Sequence, residues 1–277
     1  MKKLALILIV LFSQIAFSTV HGGTIRSDVE DSEYVEYGKK HKCVKRIAGF
    51  NITPSGPSTF TGSCVVIHPR IVITAAHVIM GADGLIVLDQ DNEGETTYNR
   101  ILFSVFPESF HKGNGNILRM ERWDIAICLL EKDIDLDFYP ELYDGRDEVE
   151  KICSIAGYGM TGVWDHGGIS RGNKVDGIKR AGSNVIDNIE NEMLVCSVGK
   201  GKNTSLEIMI ASGDSGGGLF IDKKLAGINS SVKTCHDDKN PSNSDCNDMS
   251  AHTRISTHVK WIKEAVVRLL ELKGTNK

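Results

Sequence analysis

Nine short runs rich in β-branched and apolar residues follow one another between Ser63 and Val232: SCVVIHP, RIVITAAHV, GLIVLDQ, RILFSVF, DIAICLLE, KICSIAGYG, NEMLVCSVG, GGGLFID and KLAGINSSV. Gly, Asp, Asn or Pro bounds each of them. Runs this short cannot be long helices, and regular turn signals between strands predict an all-β sandwich or barrel. The last segment breaks the pattern. In HVKWIKEAVVRLLELK, Val259, Ile262, Val266, Leu269 and Leu270 recur at helical spacing while Lys and Arg fill the other face. That predicts one terminal helix docked by an apolar stripe.

The 277 residues are 41% hydrophobic, enough for a sizeable core or two small packed barrels. A net charge of −4 with 6% aromatic residues gives no basic, aromatic-laced surface, which argues against nucleic acid as a partner. At the amino terminus, Lys2 and Lys3 precede the apolar run Leu4 to Phe12, and Ala16 and Ser18 fit a small-x-small cleavage site. Ser13 and Gln14 interrupt the run before it could span a bilayer. Residues 1–18 therefore read as a signal peptide, the mature protein as secreted or periplasmic, with no membrane contact after the leader is removed. Residues 19–46 are polar, acids first and bases after, and read as a pro-segment or linker with little to bury.

Export permits disulfides. There are seven Cys, at 43, 64, 128, 153, 196, 235 and 246, so one is left over from any set of pairs within the chain. No CxxC occurs, and no metal site is expected. Cys235 and Cys246 flank the turn-rich NPSNSD and are expected to pair. The acidic LDQDNEGE is not an EF-hand, because the twelfth position from Asp89 is Arg100. The glycine-rich run Gly157 to Gly172 reads as a surface loop.

ASGDSGGGLF, residues 211–220, could be a flexible turn or the seat of a nucleophile. A serine hydroxyl needs a base within hydrogen-bond reach and an acid to orient that base. His77 in ITAAHV is a candidate base, with Ala75 and Ala76 allowing a tight turn. Asp124 in ERWDIAICLL is a candidate acid, since a carboxylate opening an apolar strand must find donors.

TAAH, WDIAICLL and GDSGG, with 47 residues from His77 to Asp124 and 91 from Asp124 to Ser215, resemble the trypsin-like serine proteases (chymotrypsin fold, S1 family). AGYGMTG and HTRISTHVKWI match two further motifs of that family. The resemblance spans Ile47 to about Leu272 and implies two packed six-stranded antiparallel β-barrels with a C-terminal helix. It implies a serine endopeptidase acting on proteins or peptides without a cofactor, with a peptidase domain over 47–277. Ser215 is then the nucleophile, His77 the general base and Asp124 the orienter, with the N–H groups of Gly213 and Ser215 as the oxyanion hole. An activating protease would cut between Arg46 and Ile47, and the new amine would pair with Asp214.

Some positions depart from the family. Ile47 to His77 is only 30 residues, shorter than usual, and Val78 replaces the common Cys beside the histidine. Cys153 and Cys196 match family cysteines whose usual partners fall at Ile221 and near Val185, while Ala211 replaces the usual partner of Cys235. Met209 stands at the floor of the specificity pocket, with Ser230 and Val232 on its wall, so an uncharged side chain is expected before the scissile bond. Two alternatives stay open: a non-cleaving homologue that binds a partner, and a lipase or esterase with a G-x-S-x-G elbow, against which the all-β pattern and the His-Asp-Ser order speak.

Overall fold

The structure is a computed structural model that describes residues 23–90, 96–111, 122–166, 175–199, 204–234, 244 and 248–272. In chain order its elements are β1 (Gly23–Ile25), α1 (Asp31–Lys39), β2 (Val44–Thr53), β3 (Gly56–His68), β4 (Ile71–Thr74), α2 (Ala76–Ile79), β5 (Gly84–Gln90), β6 (Thr96–Val105) and α3 (Glu108–His111). There follow β7 (Ala126–Leu130), β8 (Ile152–Gly157), β9 (Thr161–Val163), β10 (Arg180–Val185), β11 (Asn188–Glu190), β12 (Met193–Ser197), β13 (Ile208–Met209), β14 (Gly218–Ile221), β15 (Lys224–Thr234), β16 (Asp248–Arg254) and α4 (Val259–Glu271).

Strands β2-β3-β4-β7-β6-β5 close into an antiparallel barrel. Its central strand β7, AICLL, is buried at every position, which explains why it reads as an unbroken apolar run instead of an alternating one. The second lobe is a seven-stranded sheet in the order β10-β8-β14-β15-β16-β12-β11. It curls around a core that includes Ile155, Leu194, Leu219 and Ile221. This refines the expectation of a second six-stranded barrel: β10 and β11 remain its two edges. Two tight hairpins set its register. Asn191–Glu192 joins β11 to β12 and Asp222–Lys223 joins β14 to β15, all four residues at positive φ, as a two-residue turn matching strand twist requires. Helix α4 leaves the second lobe and buries Ile262, Ala265 and Leu269 in the core of the first barrel, with Val259, Val266 and Leu270 half-buried beside them.

The described part of residues 19–46 departs from the expectation of a segment with little to bury. β1 pairs antiparallel with β13 and parallel with β9. On α1, Tyr34 is fully buried and its hydroxyl donates to the Glu207 carbonyl at 3.0 Å. Asp31 accepts a two-pronged bond from Arg180 at 2.6 and 2.7 Å. Arg180 lies 149 residues away, so Asp31, an acid that looks solvated in the sequence, is a docking group.

The Arg46–Ile47 bond is likewise not an exposed junction. Both residues lie inside β2, hydrogen-bonded on one side to β3 and on the other to β5. Ile47 is fully buried. Cutting there would sever a barrel strand whose backbone groups are paired, so the expected activation cleavage and the domain boundary at 46/47 do not suit this fold. Cys235 and Cys246 lie outside the described residues.

Candidate active site

The first barrel delivers two of the three candidate catalytic groups. β4 ends at Thr74, and the chain turns through Ala75 into the single turn α2, which holds His77. Asp124 lies just ahead of β7, separated from it by Ile125, and β7 is the barrel neighbour of β4. The carboxylate holds the histidine at two points. Oδ1 accepts the His77 backbone N–H at 2.9 Å, and Oδ2 lies 2.7 Å from Nδ1. Asp124 Oδ2 also accepts the Ser230 hydroxyl at 2.6 Å, and the Asp124 carbonyl accepts the Thr253 hydroxyl at 2.9 Å. The Asp124 side chain is 4% exposed and that of His77 41%, so the acid is sealed and the imidazole faces outward.

Electrostatics follow from that geometry. Burial disfavours the His77 cation, but the hydrogen bond and charge of Asp124 outweigh it, and the imidazole titrates above its ordinary range. Burial also pushes the Asp124 carboxyl up, yet the bonds from His77 and Ser230 hold it below the usual carboxylate value. Asp124 therefore stays an anion while His77, held above its ordinary value by that anion, is the group that exchanges a proton.

The second lobe delivers Ser215 on the turn between β13 and β14. Gly213 has φ +94° and Gly216 φ +84°, a conformation that costs an L side chain energy and glycine none. A Cβ on Gly213 would lie 2.9 Å from the Tyr158 carbonyl, so the site excludes a side chain on space as well. The turn is stitched to the first barrel by Ser63 of β3. Its N–H donates to the Ser215 carbonyl at 2.8 Å, its hydroxyl donates to the Gly213 carbonyl at 2.8 Å, and that hydroxyl accepts the Tyr158 N–H at 2.9 Å. Sequence reasoning missed Ser63, because its partners are 95 or more residues away and GSC carries no local mark.

Asp214 points away from the nucleophile into the second lobe. Oδ1 accepts the Gly159 N–H at 2.7 Å. A Cβ on either Gly157 or Gly159 would collide with this carboxylate, which gives the Gly-Tyr-Gly of AGYGM a reason beyond loop looseness. Burial raises the Asp214 carboxyl to about 7. It faces a small cavity lined also by Thr24, Ile25, Met160 and Met209, so β1 runs to the carboxylate while Ile47 does not line that cavity.

The pocket residues lie as follows. Met209 is fully buried and its register partner is Thr24 of β1. Ser230 is 7% exposed with its hydroxyl committed to Asp124, and Val232 is half-buried on β15. Among the described residues no cluster of three or more His, Cys, Asp or Glu could hold a metal ion.

The Trypsin family model matches residues 41–262. The chain belongs to the trypsin family. It is a serine endopeptidase of the chymotrypsin fold acting on proteins or peptides. Among solved structures it is similar to neuropsin, a serine protease expressed in the limbic system of mouse brain. That match has a TM-score of 0.59 and 18% identity, and covers 87% of this chain and 98% of that one. No curated protein sequence matches the chain.

Proposed function

We propose that this trypsin-family protein is an exported endopeptidase that cleaves peptide bonds through an acyl-enzyme on Ser215. The observation that carries the reading is the two-point hold of Asp124 on His77, which fixes the Nδ1–H tautomer and leaves Nε2 bare to take a proton. His77 removes the Ser215 proton as Ser215 attacks the carbonyl carbon, then returns it to the leaving amine; water repeats the sequence to release the acid. The N–H groups of Gly213 and Ser215 donate to no acceptor among the described residues, which suits them to receive the developing oxyanion.

Arg180 also lines the Asp214 cavity, but its guanidinium is committed to Asp31 and Asp176, and a buried carboxylate without a bonded cation is costly. β1 lines the same cavity as Asp214, so an ammonium created by a cut ahead of β1 would be available to that carboxyl. Activation thus belongs to the start of the mature chain and not to Arg46. At the pocket floor, Met209 offers no counter-charge, so small or medium apolar side chains are favoured over Arg or Lys before the scissile bond.

A fluorophosphonate probe tests the nucleophile. Labelling of the mature protein that disappears in Ser215→Ala is expected, and labelling that persists would refute the assignment. Failure of the parent to label would favour a non-cleaving binding protein. Arg46→Gln should leave activity intact, while residues added ahead of the mature terminus should abolish it. A peptide panel preferring Arg or Lys would overturn the pocket reading.

A further inference from the structure

Asn229, on β15, is fully buried and turns its backbone N–H, its carbonyl and its side-chain Nδ2 to the segment around Ser215. Its N–H donates to the Gly217 carbonyl at 2.9 Å, and its carbonyl accepts the Gly216 N–H at 2.8 Å. Its side-chain Nδ2 donates to the carbonyls of Asp214 and Ala156, both at 3.2 Å. Those two acceptors fix which end of the amide is nitrogen, so Oδ1 faces the opposite way, 3.0 Å from His252 Nδ1. An amide oxygen only accepts, so His252 must carry its proton on Nδ1. His252, on β16, is fully buried, and burial pushes its pKa down to about 3, so the ring is neutral across the working range. Its Nε2 has no partner among the described residues.

We propose that Asn229 and His252 form a positioning pair for the nucleophile turn: Asn229 grips residues on both sides of Ser215, and His252 locks the Asn229 amide in the orientation that does so. The inference rests on the reading of Ser215 as nucleophile. The neighbouring Ser230 donates to Asp124, so one dipeptide of β15 touches the nucleophile turn with its first residue and the orienting acid with its second. The Asn229 amide thus ties the Asp214 carbonyl of the turn, which also accepts the Gly217 N–H at 2.8 Å, to the Ala156 carbonyl of β8, and losing that tie frees the turn to leave its attacking geometry.

The test compares the parent with Asn229→Leu, which keeps the volume without the amide, and with His252→Phe, which keeps a ring without the donor. Folding is followed by circular dichroism and the catalytic step by kcat, KM and the rate of fluorophosphonate labelling. Asn229→Leu should lower kcat and the labelling rate together by about 10- to 100-fold, with KM held within about twofold, because an orphaned buried group moves the turn and not the substrate cleft. His252→Phe should lower both by about 3- to 10-fold, and the double variant should match Asn229→Leu alone, since the histidine acts only through the amide. A folded Asn229→Leu with kcat within about twofold of the parent overturns the proposal, as do additive effects. So does loss of folded protein in both variants, which assigns the pair to the stability of the lobe. A parent that does not label refutes the Ser215 reading itself, whereas a labelling parent with unaffected variants refutes only the pair.

Discussion

Replacing Asp124 with Asn changes one oxygen to an NH2, and the surroundings decide which one. Three donors converge on the carboxylate: the His77 backbone N–H on Oδ1, and the His77 ring and the Ser230 hydroxyl on Oδ2. A backbone N–H cannot become an acceptor, so the amide oxygen must stay at Oδ1 and the NH2 must face the ring. The Ser230 hydroxyl adapts by rotating. The imidazole adapts only by accepting at Nδ1, which moves its proton to Nε2, the atom that has to receive the Ser215 proton. The expected loss is about 10,000-fold in kcat, or about 5 kcal/mol of barrier. A second readout has its own sign. The parent rate rises as His77 loses its proton, with a midpoint above the ordinary histidine value because the Asp124 hydrogen bond and charge outweigh burial. In Asp124→Asn the charge is gone and burial remains, so the acid limb should move below about 6.5. Steady-state hydrolysis of a peptide substrate measured from acid to alkaline pH reads both. A loss under tenfold, or an acid limb that moves upward, would refute the reasoning.

Other perturbations test other parts of the structure. Glu148 is fully buried and accepts Arg254 through both oxygens and Ser256 through Oε1, each at 2.7 Å. Glu148→Gln should cost about 3–5 kcal/mol by stranding the arginine, which is a drop in Tm on the order of 6–20 °C for a domain of this size; calorimetry on a Ser215→Ala background showing under 2 °C would contradict it. Burial opposes the Glu148 anion, but Arg254 and Ser256 outweigh it and depress its pKa, so this stabilisation is present above about pH 4.5 and lost as pH falls through the lowered folded value. Gly213→Ala should cut kcat by about 100- to 1,000-fold through a displaced oxyanion donor; near-parent kinetics would show that the turn tolerates a side chain. Burial lifts the thiols of Cys43 to about 11 and Cys128 to about 12, and Cys64 higher still. Iodoacetamide at pH 8 should leave all three unmodified in native protein, and fast native labelling by peptide mapping would contradict their packing.

What could be read in advance was whatever carries a local mark. The strand runs, the amphipathic stripe of α4 and the tight turns at His77 and Ser215 are each written within a dozen residues. The polar segment before Arg46 misled because its meaning is distant: Tyr34 and Asp31 look solvated until Glu207 and Arg180 arrive from the other end of the chain. The Arg46–Ile47 junction misled for the converse reason, since a basic residue before an apolar one looks like a cleavage site until both are found paired inside a barrel strand. Ser63 and Asn229 were invisible because a hydroxyl or amide within an apolar strand acquires its role only from the carbonyls that the other elements present to it.

Helix α4 has a mechanical consequence. It begins where the second lobe ends and is anchored by Ile262 and Leu269 in the first barrel. His77 and Asp124 ride on one lobe and Ser215 on the other, so any force that opened the gap between the lobes would have to draw that anchor out of its seat before the attacking oxygen could drift from its base. The helix thereby works as a tension member across the cleft. Shortening the chain from its carboxyl end would slacken the reaction centre without touching a reacting atom.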